Sequence, residues 1–246
     1  MTTPSNQTGA EYLRQILRAP IYEVATVTPF QDMPRLSERI SNRVQLKRED
    51  RQPVHSFKLR GAYNMVSNLT EEQKKAGVIA ASAGNHAQGV AYHGTRLGIP
   101  TTIAMPLGTP FVKIQNTQDL GAEVIQVGER FDETAEATLD IATEKGLTVV
   151  HPFDDYHVMA GQGTIGIELL QDVSDLDVVI VPVGGGGLIS GIATAVKSIN
   201  PDIKVIGVEA DESACLKAAL EAGKPVELDR VGSFADGVAV KIIGTE

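Results

Sequence analysis

Glu49-Asp50-Arg51-Gln52-Pro53-Val54-His55-Ser56-Phe57-Lys58-Leu59-Arg60-Gly61-Ala62 places one lysine, Lys58, at the mouth of a predicted helix. Ser56 stands where a cap would sit, and Leu59, Ala62, Tyr63 and Val66 recur at helical spacing as a buried stripe. A helix start carries partial positive charge, which disfavours a further cation. Arg60 acts in the same direction. Both are expected to lower the pKa of Lys58, and a neutral amine is what a Schiff-base lysine needs. Taken alone, the same residue also fits a solvated lysine on a surface helix. The surrounding sequence has to decide.

Outward from Lys58, strands and helices alternate. Strands are expected at 78–81, 101–105, 123–127 and 148–150, between helices at 85–97, 110–120 and 131–145, each followed by a glycine. That pattern implies βαβ units and one parallel sheet. After Pro152 it restarts, with a helix at 163–170, a strand at 178–183, a helix at 188–199, a strand at 204–209 and a helix at 213–220. The strand at 178–183 is apolar at nearly every position, as expected when both faces are covered. Upstream, a helix at 11–18, an extended run at 24–27, a helix at 34–40 and a strand at 43–47 deliver the chain to Lys58. Residues 1–10 are polar and read as a disordered tail.

Gly184-Gly185-Gly186-Gly187 follows the strand at 178–183 and opens a helix at Leu188. Four glycines let the backbone form a nest of N–H groups at a positive helix end, which is a phosphate cradle. A tight turn would need one. Ser82-Ala83-Gly84-Asn85-His86 sits likewise between a strand and a helix. Its N–H groups and Ser82 suit a carboxylate, and Asn85 offers an amide to a cofactor oxygen; an ordinary helix cap fits the same residues. Gly161-Gln162-Gly163-Thr164-Ile165-Gly166 matches a dinucleotide fingerprint, but it follows no predicted strand and lacks an acid about 20 residues on. No Walker loop is present.

Bulk properties exclude several classes. The net charge of −9 argues against nucleic acid or an anionic membrane as partner. No run of apolar residues is long enough to span a bilayer. The single cysteine, Cys215, suits a reducing cytoplasm. The five histidines show no ligand spacing, so no metal is expected. Glu209 and Asp211 at a strand end leave a cation site open beside a solvated acidic turn.

The three motifs together resemble those of the serine/threonine dehydratases, fold-type II pyridoxal-phosphate enzymes. The flanking stretches Glu11-Tyr12-Leu13-Arg14, 18–23, 47–56 and 160–164 are similar to the biosynthetic threonine dehydratase branch. The resemblance implies an α/β architecture of two domains with parallel sheets flanked by helices. Residues 58–150 would form the small domain, and 11–57 with 151–246 the large one. It implies that Lys58 carries pyridoxal phosphate and that Phe57 flanks its ring. Asn85 would bond the ring oxygen, Gly184, Gly185, Gly186, Gly187 and Leu188 would cradle the phosphate, and Gly237 would lie near the ring. Ser82, Ala83, Gly84 and His86 would hold the substrate carboxylate. The reaction implied is L-threonine to 2-oxobutanoate and ammonia, the first step of isoleucine biosynthesis, with L-serine as a secondary substrate. A serine racemase or catabolic dehydratase, or a pyridoxal-phosphate-binding piece without turnover, remains the alternative. The family also implies a homo-oligomer, a tetramer, and a continuation of roughly 75 or more residues past Glu246. The chain is therefore expected to be C-terminally truncated, with large-domain core exposed and little activity of its own. Cys215 stands where metal-dependent racemase relatives carry an acidic cation ligand.

Overall fold

A computed structural model describes residues 9–232 and 234–245. The chain opens with helix α1 (Gly9–Arg18) and reaches strand β1 (Phe30–Asp32), helix α2 (Pro34–Ile40) and strand β2 (Gln45–Lys47), with β1 and β2 antiparallel. The extended run at 24–27 is not a strand. The Gln52 side chain takes both backbone groups of Thr26, accepting from its N–H at 3.1 Å and donating to its carbonyl at 2.9 Å. A side chain thus replaces the neighbour a strand would need.

Helix α3 (Lys58–Ser67) is buried at every position from Leu59 to Val66, which removes the surface-helix reading of Lys58. Ser56 does not cap it conventionally. Phe57 is the cap residue, and Ser56 Oγ accepts from Lys58 N at 3.2 Å. Helix α4 (Glu71–Ala76) follows, closed by a capping box between Thr70 and Gln73.

The expected parallel sheet is present. Strands β3 (Val78–Ala81), β4 (Thr101–Met105), β5 (Glu123–Gln126) and β6 (Thr148–Val149) pair in the order β5-β4-β3-β6. Helices α5 (Asn85–Leu97), α6 (Phe111–Asp119) and α7 (Phe131–Lys145) connect them. One core joins the sheet to α3 and α5 through Ala62, Val66, Val78, Ala80, Val90 and Ile103.

Helix α8 (Tyr156–Asp172) begins seven residues earlier than its pattern predicts. Gly161, just ahead of the predicted start at Gly163, masks it, glycine being a poor helix former. The reason for glycine here is close approach. A Cβ on Gly61 would lie 2.7 Å from the Val158 oxygen, and one on Gly161 would lie 2.7 Å from the Arg60 oxygen. The fingerprint-like glycines therefore serve helix packing, with α3 and α8 backbone to backbone. Asp155 caps α8, accepting from Val158 N at 3.0 Å.

Strands β7 (Val178–Pro182) and β8 (Lys204–Val208) pair in parallel around helix α9 (Gly187–Ile199), and helix α10 (Cys215–Ala222) follows. Here the expected burial fails on one side. Val179 and Val181 are buried, but Ile180 is 66% exposed and its cross-strand partner Ile206 45% exposed. Among the described residues no helix is long and apolar enough to cross a membrane.

Candidate active site

The segment that follows β6 brings the three motifs together. Lys58 Nζ donates to the Pro152 carbonyl at 2.5 Å. His86, on the first turn of α5, donates from Nε2 to the Val150 carbonyl at 2.8 Å. A carbonyl only accepts, so Nε2 carries the proton and Nδ1 is an acceptor. That Nδ1 is buried and has no hydrogen-bond partner among the described residues. Phe153 then packs against the glycine loop: a Cβ on Gly185 would run into its ring, and one on Gly187 would lie 2.5 Å from its oxygen. His151 folds this turn, its Nδ1 accepting from Asp154 N at 2.8 Å.

The half-buried Lys58 has its pKa lowered to about 8, and burial is the cause. This corrects the sequence reading, which credited the helix start and Arg60. Arg60 is turned away into Glu49 and Glu168. The Lys58 ammonium also lies 5.5 Å from the centre of the Phe57 ring, so Phe57 flanks the amine. His86 is pushed down to about 3, first by burial and then by the charge of Lys58. His151 is lowered too, chiefly by burial.

The loop at 184–187 is bent as a nest requires, with Gly186 at φ +96°. The start of α9 has no side-chain cap: its cap residue is Gly186, which has no side chain to meet the first N–H groups. Leu188 packs into the core below. Residues 238–244 line the other side. Gly244 N donates to the Gly185 oxygen at 3.0 Å, and the Val238 Cα would be 3.2 Å from a Cβ on Gly184. Gly237 itself is exposed, one residue away from that contact.

At 82–86, Ser82 Oγ accepts from Gly84 N at 3.2 Å, so one of the expected carboxylate-binding N–H groups is already engaged. Ala83 packs on the core, and Asn85 is exposed at the first position of α5, which also lacks a side-chain cap. Glu209 accepts from Leu216 N at 2.8 Å and from Lys217 N at 2.9 Å. Both carboxylate oxygens thus hold the start of α10, which neither the cation-site nor the solvated-turn reading anticipated. The buried Cys215 points its thiol at the Gly184 carbonyl, 3.5 Å away.

A buried amine of lowered pKa beside a glycine nest suits a small molecule bearing an aldehyde and a phosphate, and pyridoxal phosphate bears both. Residues 21–246 match the family described as pyridoxal-phosphate dependent enzyme. The chain belongs to this family. Among its pyridoxal-phosphate relatives, a protein of Salmonella typhimurium named biosynthetic L-threonine dehydratase is 60% identical over 238 residues, covering 97% of this chain and 46% of the relative. Its namesake from Escherichia coli is 58% identical over the same length and coverage. The chain spans about half the length of these curated relatives. Among solved structures, the processed form of threonine deaminase isoform 2 from Solanum lycopersicum superposes with a TM-score of 0.94 at 46% identity, covering 99% of this chain and 72% of that one. Maize serine racemase gives 0.90 at 32% identity, covering 95% and 70%. The fold is thus the fold-type II architecture that the motifs implied.

Proposed function

We propose that this chain carries the catalytic chemistry of a pyridoxal-phosphate lyase that converts L-threonine to 2-oxobutanoate and ammonia, with L-serine to pyruvate as a secondary reaction. The observation that carries the reading is the Lys58 amine, with its pKa near 8, against the Pro152 carbonyl beside the glycine loop. The relatives at 58–60% identity bear the dehydratase name, whereas the serine racemase lies at 32%.

When bound, pyridoxal phosphate supplies an aldehyde that joins to amines and a conjugated ring that accepts the electron pair left at Cα. Lys58 is the residue to hold it. At pH 7 a pKa near 8 leaves about a tenth of the amine neutral, against under about a thousandth for an ordinary lysine. With the cofactor bound to substrate, the Lys58 Nζ would be the base for the Cα proton. The N–H groups of Gly184, Gly185, Gly186, Gly187 and Leu188 bind the phosphate at the positive end of α9. Phe57 and Gly237 would border the ring, and Asn85 would give its oxygen an amide. Ser82, Ala83, Gly84 and His86 orient the substrate carboxylate at the start of α5. Residues 58–150 and the two segments 11–57 and 151–246 act as the two lobes around this cleft. The protein works in the cytoplasm as a homo-oligomer.

The test is an assay of the purified chain with pyridoxal phosphate and L-threonine, reading 2-oxobutanoate and ammonia. The two products are expected in equimolar amounts, at the low rate expected of this chain by itself, with less pyruvate from L-serine. D-serine formed from L-serine without ammonia would mark a racemase. Cofactor bound at Lys58 with no turnover would mark a non-catalytic binding protein.

A further inference from the structure

Arg60 stands two residues beyond Lys58, fully buried, and takes no part in the chemistry above. All five of its N–H groups can be accounted for. Nε and Nη2 donate to the two oxygens of Glu49, each at 2.8 Å. Nη1 and Nη2 donate to the two oxygens of Glu168 at 2.5 and 3.0 Å, and Nη1 also reaches Thr164 Oγ1 at 3.0 Å. Two carboxylates therefore grip one guanidinium, each with both oxygens.

The grips come from different elements. Glu49 lies on the 3-10 turn Glu49–Arg51 that leads towards Lys58, and Glu168 lies on α8. Glu168 is itself steadied by Lys47 Nζ at 2.9 Å and by the Tyr22 hydroxyl, which donates at 2.9 Å. Asp172 completes the cluster, 3.2 Å from Lys47 Nζ. Burial works against the charge on Arg60, but its bonds to Glu49 and Glu168 outweigh this and raise its pKa. Burial likewise opposes charge on Glu168, and Arg60 with Lys47 prevails and lowers its pKa. The pair stays ionised at neutral pH.

Two residues on a helix lie about 200° apart around its axis. Fixing the Arg60 side chain therefore fixes the opposite direction, in which Lys58 points. The contact at Gly61, where Gln162 Oε1 accepts from Gly61 N at 3.2 Å, sets how closely α3 and α8 approach, and the Arg60 grip lies one residue nearer to Lys58. We propose that Arg60 is a positioning residue for Lys58: held by Glu49 and Glu168, it sets the rotation of the first turn of α3 and so delivers Nζ to the Pro152 carbonyl. The catalytic meaning of this rests on the proposed function; the placement itself does not need the cofactor.

The test follows the pH dependence of Lys58 acetylation by acetic anhydride in the purified chain before any cofactor is added, read by mass spectrometry of the Lys58 peptide. The titratable groups facing Lys58, His86 and His151, are already neutral across the range from pH 7 to 11. Arg60→Lys keeps one charge and loses the fork; Glu168→Gln keeps the shape and loses one grip. In either variant, with far-UV circular dichroism retained, the labelling midpoint is expected to rise by about one pH unit, a roughly tenfold slower reaction at pH 7. In the cofactor-loaded chain, Arg60→Lys is expected to lower kcat more than it raises KM. Should those variants unfold, Glu49→Gln leaves Arg60 paired with Glu168 and gives the same decision. An unchanged midpoint in the folded variants would overturn the proposal. If instead the midpoint moves but no cofactor attaches to Lys58, the functional reading fails and the positioning role stands.

Discussion

Lys58 and Pro152 are joined by a hydrogen bond of 2.5 Å from Nζ to the main-chain oxygen, and the next residue, Phe153, lies against Gly185 and Gly187. A single turn of chain thus sets the distance between the amine and the phosphate nest. One partner is the candidate catalytic side chain, the other a main-chain carbonyl.

Holding Lys58 in this place opposes stability. Its folded pKa is near 8, below the ordinary 10.5, so from pH 8 to 10.5 the unfolded chain binds more protons. Stability should therefore rise with pH through that window. At pH 7 the buried charge costs about 1–3 kcal/mol after its hydrogen bond is credited. Lys58→Met, measured by urea unfolding at pH 7, is expected to gain that amount and to flatten the alkaline rise. A less stable variant would mean that the amine is not buried in solution.

Acid should unfold the protein early. His86 and His93 are buried, and burial first of all lowers them to about 3 and about 4. Both lie below the unfolded value of 6.5, so their contribution is complete above pH 6.5 and is lost as pH falls towards 4. Each removes on the order of 2 kcal/mol by pH 4.5. His93 Nε2 donates to the Leu59 oxygen at 2.9 Å, and a glutamine amide can take over that bond. His93→Gln should narrow the gap between urea midpoints at pH 7 and pH 4.5. An equal gap would show that His93 titrates normally.

The glycine loop should tolerate no side chain at 185. Gly185→Ala drives a methyl into the Phe153 ring, an overpacking expected to cost about 1–3 kcal/mol. The displaced loop should bind pyridoxal phosphate at least about tenfold more weakly, about 1.4 kcal/mol, read by equilibrium dialysis. Combining it with Phe153→Ala makes room again and should recover part of the affinity. No recovery would mean that Phe153 does not shape the nest.

Self-association is expected through the outer face of β7 and β8. Ile180 and Ile206 are register partners there and both are exposed, with Val178 and Val208 beside them. Such a patch favours association. Ile180→Lys together with Ile206→Lys should lower the light-scattering mass at a given concentration. An unchanged mass would place the sticky surface elsewhere.

The alternating sheet was legible because β3, Val-Ile-Ala-Ala, and β4, Thr-Thr-Ile-Ala-Met, are short, largely apolar runs between glycine-stopped helices. The early part of α8 was not. Gly161 lies just before the start read at Gly163, and only the structure reveals the neighbouring helix backbone that requires these glycines. Lys58 and residues 184–187 were legible since their chemistry resides in residue type. The segment 150–153 was not, because two of its contributions, from Val150 and Pro152, are main-chain oxygens, which every residue has. Arg60 was misread for a geometric reason: two residues from Lys58 in sequence, it points to the opposite side of α3.

The most direct measurement is where the cofactor attaches. The chain is loaded with pyridoxal phosphate, reduced with borohydride, digested and examined by mass spectrometry. One pyridoxyl adduct is predicted, on the peptide containing Lys58, with the yellow colour bleached on reduction and absent in Lys58→Ala. An adduct on another lysine, or colour that survives Lys58→Ala, would contradict the account.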